Sequence, residues 1–214
     1  MANFLANPRA GGVHPGLIVI QEFFGVNDHI EDITQRLADE GFIALAVDLY
    51  DGRIAADPQE ARQMLQALDP KATLDKLNAG VAALKANPQV ANGKVGVIGF
   101  CMGGFWALTL ASDNRDVRAA APFYGRVPPD ETLRKITAPV LGVYAGKDGH
   151  IPVSEANRLG EVLKAKGNAV EVKIYPDADH AFMNDTRKEV YKADDAKDAW
   201  ARAVGFLKNN LGGN

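Results

Sequence analysis

The lone cysteine of this chain, Cys101, occupies the centre of Gly99-Phe100-Cys101-Met102-Gly103-Gly104, between an apolar run that reads as a strand and one that reads as a helix. This is the Gly-x-nucleophile-x-Gly elbow, with sulfur in place of oxygen. A side chain at the tip of so sharp a turn stands on a strained backbone, and small residues two positions either side let strand and helix approach without Cβ clashes. Gly99 and Gly103 fill those positions. The backbone amide of Met102 then falls in the first helical turn, where unpaired N–H groups and the helix dipole favour negative charge, as one half of an oxyanion hole. The plain alternative is that a lone cysteine in an apolar stretch is a small buried hydrophobe.

Two later segments supply partners. An apolar run over Val140 to Ala145 leads into Gly146-Lys147-Asp148, and another over Val170 to Tyr175 leads into Pro176-Asp177-Ala178-Asp179-His180. Nucleophile, acid, histidine is the chain order of an acyl-transfer triad placed on an α/β sheet. His180 would take the thiol proton and later deliver it to the leaving group, while Asp148 fixes the imidazole tautomer. Asp177 and Asp179 are competitors for that acid, but they share the loop of the histidine, whereas Asp148 belongs at a strand end. His150 reads as a loop residue entering the next helix, and His14 and His29 as solvated or capping side chains.

These residues need a scaffold that brings distant strand ends together. Seven strands are expected over Phe4 to Ala6, Leu17 to Gln21, Phe42 to Asp48, Val95 to Phe100, Arg118 to Phe123, Val140 to Ala145 and Val170 to Tyr175. Helices are expected from Asn27 or Asp28 to Gly41, from the Asp57-Pro58 cap, and over Leu74 to Ala86, Met102 to Ala111, Val153 to Lys166 and Lys188 to Leu211. Strands this apolar are buried on both faces, and their alternation with helices implies right-handed crossovers in a mostly parallel sheet. The expected fold class is α/β, a three-layer sandwich, with residues 1–214 as a single domain. Sites in such sheets form at the carboxyl ends of the strands.

With 214 residues, 47% apolar and 24% charged, the composition is that of an ordinary soluble protein able to bury about 70% of its unfolded surface. A net charge of −3 provides no basic field for nucleic acid or anionic lipid. One cysteine forms no internal disulfide, and the N-terminal segment lacks the pattern of a secretory signal, so a cytoplasmic location is expected. The uncharged run from Val95 to Ser112 is broken by four glycines and reads as a buried strand-turn-helix, not a membrane span. Polar helix faces suggest a monomer.

The chain resembles the dienelactone hydrolase (carboxymethylenebutenolidase) family of α/β-hydrolases across nearly its whole length. The resemblance is carried by Gln21-Glu22-Phe23-Phe24-Gly25-Val26-Asn27, Asp48-Leu49-Tyr50, the Cys101 elbow, Asp148-Gly149-His150-Ile151-Pro152 and His180-Ala181-Phe182. It implies a Cys101-His180-Asp148 triad, hydrolysis of an enol-lactone or related ester as the small-molecule substrate, and no metal or cofactor. It also gives Glu22 a catalytic role and assigns the second oxyanion amide to Phe23. Physically, a carboxylate at the sheet edge beside a thiol disfavours an anionic sulfur until an arriving substrate rearranges the pair. The other reading of Glu22 is structural, tying loop amides or pairing with an arginine.

The sequence departs from the family at the substrate carboxylate. Members that take dienelactone hold it with one arginine after the Asp-Leu-Tyr segment and another four residues past the histidine. Here the second position is Asn184 and the first has an approximate counterpart in Arg53. Arg53 is equally readable as a solvated loop residue. Tyr124, at a strand end, either lines the pocket or is a core residue, and Trp106 packs on the elbow helix. Two other classes stay open on the same fold: a small-ligand-binding module built on the glycine-rich turn, and a redox sensor using Cys101 without a resolving partner.

Overall fold

The computed structural model describes residues 3–212. Seven strands form one sheet in the order β1-β3-β2-β4-β5-β6-β7. They are β1 (Phe4–Ala6), β2 (His14–Ile20), β3 (Ile43–Val47), β4 (Val90–Phe100), β5 (Val117–Phe123), β6 (Val140–Ala145) and β7 (Val170–Tyr175). Only β1 runs antiparallel to its neighbour; every other pairing is parallel. All six parallel strands therefore deliver their carboxyl ends to one edge.

Helices cover both faces: α1 (Asp28–Asp39), α2 (Pro58–Gln66), α3 (Pro70–Ala86), α4 (Met102–Asp113), α5 (Asp130–Leu133), α6 (Val153–Ala165) and α7 (Ala193–Leu211). The period-two alternation of the strands sorts the core. Ile18, Ile20, Leu45, Val47 and Val97 pack on the side of α2, α3, α4 and α6. Leu17, Val19, Ala44, Ala46, Ile98 and Phe100 pack against α1 and α7. This is the three-layer arrangement expected of strands apolar on both faces. Among the described residues, no helix is long and apolar enough to cross a membrane.

Capping explains several helix starts. The Asn27 side chain accepts from Ile30 N, and Asp57 accepts from Gln59 N and Glu60 N ahead of Pro58. The same device sets α3 four residues before the expected Leu74, because Asp69 accepts from Ala72 N and Pro70 opens the helix.

Other boundaries moved for long-range reasons. β4 begins at Val90, since Asn92 and Gly93 adopt positive φ and absorb an irregularity in the pairing with β2. The last helix begins at Ala193 and not Lys188, because Lys192 N donates to Phe182 O and ties this segment to the loop carrying His180. The four-residue α5 was not anticipated. His29 is only 5% exposed, which corrects the expectation of a solvated or capping side chain; it lies on the inner face of α1, 3.5 Å from Asp185. His14 lies within β2, its ring nitrogens 3.2 Å from Gly41 O and 3.0 Å from Ala10 O.

Candidate active site

The carboxyl edge of the sheet gathers Glu22 after β2, Tyr50 after β3, Cys101 after β4, Tyr124 after β5, Asp148 after β6 and His180 after β7. Cys101 is the residue between β4 and α4, with φ 55° and ψ −115°. A non-glycine residue in that conformation is strained, and the surroundings must hold it there. They do: Cys101 N donates to Phe123 O at 3.0 Å, and Gly104 N donates to Cys101 O at 3.0 Å. A Cβ at Gly99 would land on the Gly103 carbonyl, and one at Gly103 on the carbonyls of Ile20 and Gln21. The two glycines thus permit the contact that lifts sulfur above the sheet. As the first residue of α4, Met102 has an amide without an intrahelical acceptor.

His180 Nδ1 is 2.7 Å from Asp148 Oδ2. The other carboxylate oxygen of Asp148 accepts from His150 N at 2.8 Å and Ile151 N at 2.9 Å. The Asp148 side chain is 1% exposed and that of His180 15%. Burial opposes the charged form of Asp148, yet the His180 hydrogen bond and charge, together with the two amides, hold its carboxyl below the usual range. Burial likewise pulls His180 downward, but hydrogen bonds to Asp148 and Cys101 and the charges of both push its pKa up to about 10. Cys101 lies within electrostatic reach of the imidazole that Asp148 holds. Of the competing acids, Asp177 is engaged with Lys147 at 2.8 Å. The ring of His150 stands edge-on to His180, centroids 5.2 Å apart.

Glu22 is 4% exposed and Asn184 3%. Asn184 Nδ2 donates to Glu22 Oε2 at 2.9 Å, while Glu22 Oε1 has no partner among the described residues. The amide that could have served a ligand is thus turned to a protein carboxylate. Arg53 stands apart: its side chain is 65% exposed and pairs with Glu60 at 3.1 Å. It borders a recess of about 290 Å³ shared with Leu49, Tyr50, Met64 and Lys76, which Cys101 does not line. Trp106 is buried in the elbow helix, edge-on to Phe105.

Some contributors were not assigned roles from sequence. Gln21 Oε1 accepts from Leu49 N at 3.2 Å, and the Asp48 carboxylate accepts from Tyr50 N at 2.8 Å and from Gly52 N. These bonds brace the loop after β3 so that Tyr50, buried, donates its hydroxyl to Met102 Sδ at 3.5 Å. The signal was present, since both segments were among the motifs singled out, but their mutual contact is not a local property.

A sequence profile of the dienelactone hydrolase family matches residues 1–211. The chain belongs to the dienelactone hydrolase family. It is 37% identical to a Saccharolobus solfataricus relative, a proposed carboxymethylenebutenolidase, over 96% of this chain and 92% of that one. A proposed dienelactone hydrolase from Klebsiella pneumoniae superposes with a TM-score of 0.85 at 32% identity, covering 94% of this chain and 90% of the other. A dienelactone hydrolase-like promiscuous phosphotriesterase from metagenomic libraries gives the same TM-score at 25% identity, covering 95% and 89%. The α/β-hydrolase fold and an ester or lactone hydrolase activity of the dienelactone hydrolase type follow from this membership.

Proposed function

We propose that the chain cleaves a lactone or related carboxylic ester through Cys101, His180 and Asp148, by way of a thiol ester on Cys101. The observation that carries this reading is the strained elbow at Cys101 with His180 beside it and Asp148 Oδ2 at 2.7 Å from the imidazole. His180, with its pKa raised to about 10, is protonated near neutral pH and stabilises the sulfur anion once Cys101 has lost its proton. The sulfur adds to the substrate carbonyl, and the resulting oxyanion is held by the amides of Phe23 and Met102. Removing one such donor costs about 3 to 4 kcal/mol of transition-state stabilisation in related sites.

Collapse of the tetrahedral adduct breaks the ester C–O bond and leaves an acyl thioester, and the leaving oxygen of an enol-lactone departs as a stabilised enolate. The imidazolium of His180 gives its proton to the departing oxygen, and the neutral ring then deprotonates the water that attacks the thioester and frees the sulfur, which recovers its proton from Glu22. Glu22 assists the first step: substrate displaces its carboxylate from Asn184, and the freed group accepts a proton from Cys101. Thiolate is a good leaving group, which suits activated esters and lactones and suits amides poorly.

The substrate is an uncharged one in this reading. The buried charges beside the sulfur are carboxylates, Glu22 and Asp148. Asn184 already donates to Glu22, Arg53 pairs with Glu60, and Arg187 pairs with Glu189 at 2.9 Å. Arg53, Asn184 and Arg187 are thus already engaged by protein carboxylates and are not free to receive a substrate carboxylate. The enzyme works as a monomer in the cytoplasm, where its single thiol stays reduced. The test is pre-steady-state hydrolysis of p-nitrophenyl acetate with intact-mass detection, followed by matched lactones with and without a carboxylate. A stoichiometric burst, an acetyl adduct on Cys101 and a higher kcat/KM for the uncarboxylated lactone are expected. No turnover would overturn the hydrolase reading, and preference for the carboxylated lactone would overturn the substrate class alone.

A further inference from the structure

Tyr124 combines three costly features. Its backbone has φ 38°, a conformation that a bulky non-glycine residue rarely adopts. Its side chain is fully buried. Its hydroxyl has no hydrogen-bond partner among the described residues. A buried unpaired hydroxyl and a strained backbone each lower stability, and strain of this kind persists where the surroundings over-determine it, often at functional sites.

The position of Tyr124 indicates what the hydroxyl serves. Tyr124 follows β5 at the same sheet edge as Cys101, and Tyr124 N donates to Val143 O at 2.7 Å, which fixes the turn. Its ring stands edge-on to His180 at 5.2 Å and to Phe182 at 5.7 Å, with Phe100 at 6.3 Å. Glu22 Oε1 is another buried polar atom without a partner among the described residues, as is Gln21 Nε2 beside it, while Glu22 Oε2 is held by Asn184. Burial, and then the neighbouring charges of Glu22 and Cys101, push the Tyr124 hydroxyl well above its ordinary range, so it remains a proton donor.

We propose that Tyr124 is a positioning residue for Glu22: its hydroxyl donates to the free carboxylate oxygen and, with Asn184, forms a two-donor latch that orients Glu22 toward Cys101. This rests on the hydrolase reading above and extends it. Two neutral donors can hold a carboxylate without neutralising it, whereas a cationic partner would hold it far more firmly. The latch therefore releases when substrate enters.

The experiment is Tyr124→Phe, which keeps the ring contacts and removes only the hydroxyl. Single-turnover acylation by p-nitrophenyl acetate is expected to fall about tenfold, with deacylation unchanged. The same substitution in a Glu22→Gln background is expected to produce no further loss, since residues acting through one another are not additive. Unchanged acylation in Tyr124→Phe, or an equal loss with and without the Glu22 carboxylate, would overturn the proposal. Absence of any wild-type turnover would instead overturn the hydrolase reading beneath it.

Discussion

Asp148 binds His180 through one carboxylate oxygen, 2.7 Å from Nδ1, while its other oxygen is taken by the amides of His150 and Ile151. The acid is therefore anchored by its own loop before it orients the imidazole. An anchored acid fixes the ring's orientation, with Nδ1 turned to the carboxylate.

Asp148→Asn tests that consequence. The amide can still accept from the loop amides but no longer stabilises imidazolium, so kcat for ester hydrolysis is expected to drop roughly 10²- to 10⁴-fold. Steady-state rates, with far-UV circular dichroism to verify folding, provide the check. A drop below tenfold would mean that Asp148 is not the orienting acid.

The titration of His180 gives a second test. Its pKa stands at about 10 against an ordinary 6.5, despite burial that pulls it down, because Asp148 and Cys101 both favour the protonated ring. Cys101→Ala removes one of those partners, so the imidazole pKa is expected to move down toward 6.5 in an NMR titration. The linked stability follows from the signs. A raised histidine pKa stabilises the fold fully below pH 6.5, and this contribution fades as pH rises through about 10. The lowered Asp148 pKa stabilises above pH 3.8 and is lost as pH falls below it. The Tm advantage of wild type over Asp148→Asn should thus peak between about pH 4 and 6.5 and shrink toward pH 10.

Gly103→Ala addresses the elbow itself. The added methyl would strike the carbonyls of Ile20 and Gln21 at the end of β2. Those are backbone atoms that cannot swing aside, so a loss of about 3 kcal/mol in urea denaturation is expected. Activity should fall further than stability, because Glu22 follows directly on the displaced segment. A stability within 1 kcal/mol of wild type would show that the close approach does not constrain the elbow.

For Glu22→Gln, the expected outcome is a folded protein with slower acylation. Glutamine can retain the Asn184 contact through its own carbonyl oxygen but cannot accept the thiol proton as a carboxylate does. Stopped-flow single turnover is the measurement. Unchanged acylation would make Glu22 a structural residue.

Most of the sheet and the positions of the proposed triad are legible because their signals are local. Val140–Ala145 and Val170–Tyr175 have the expected bounds, since each is a short apolar run with turn residues beyond it. Cys101, Asp148 and His180 could be picked out because each closes such a run. What the sequence concealed are relationships between distant segments. Nothing near Asn184 announces that its amide will meet Glu22, 162 residues earlier. The positive φ of Tyr124 is imposed by packing at the edge, with no glycine or asparagine to signal it. His29 carries no sign of burial except its place on the inner face of a helix that also holds Ile30 and Ile33.

The central claim is that Cys101 is the nucleophile. Its most direct test is titration of the wild-type enzyme with iodoacetamide beside assay of Cys101→Ala on the same p-nitrophenyl ester. The account predicts that activity falls in proportion to alkylation, reaching zero at one equivalent per chain, and that the folded alanine variant does not turn over. Persistent ester hydrolysis by Cys101→Ala, or full activity after stoichiometric alkylation, would contradict it.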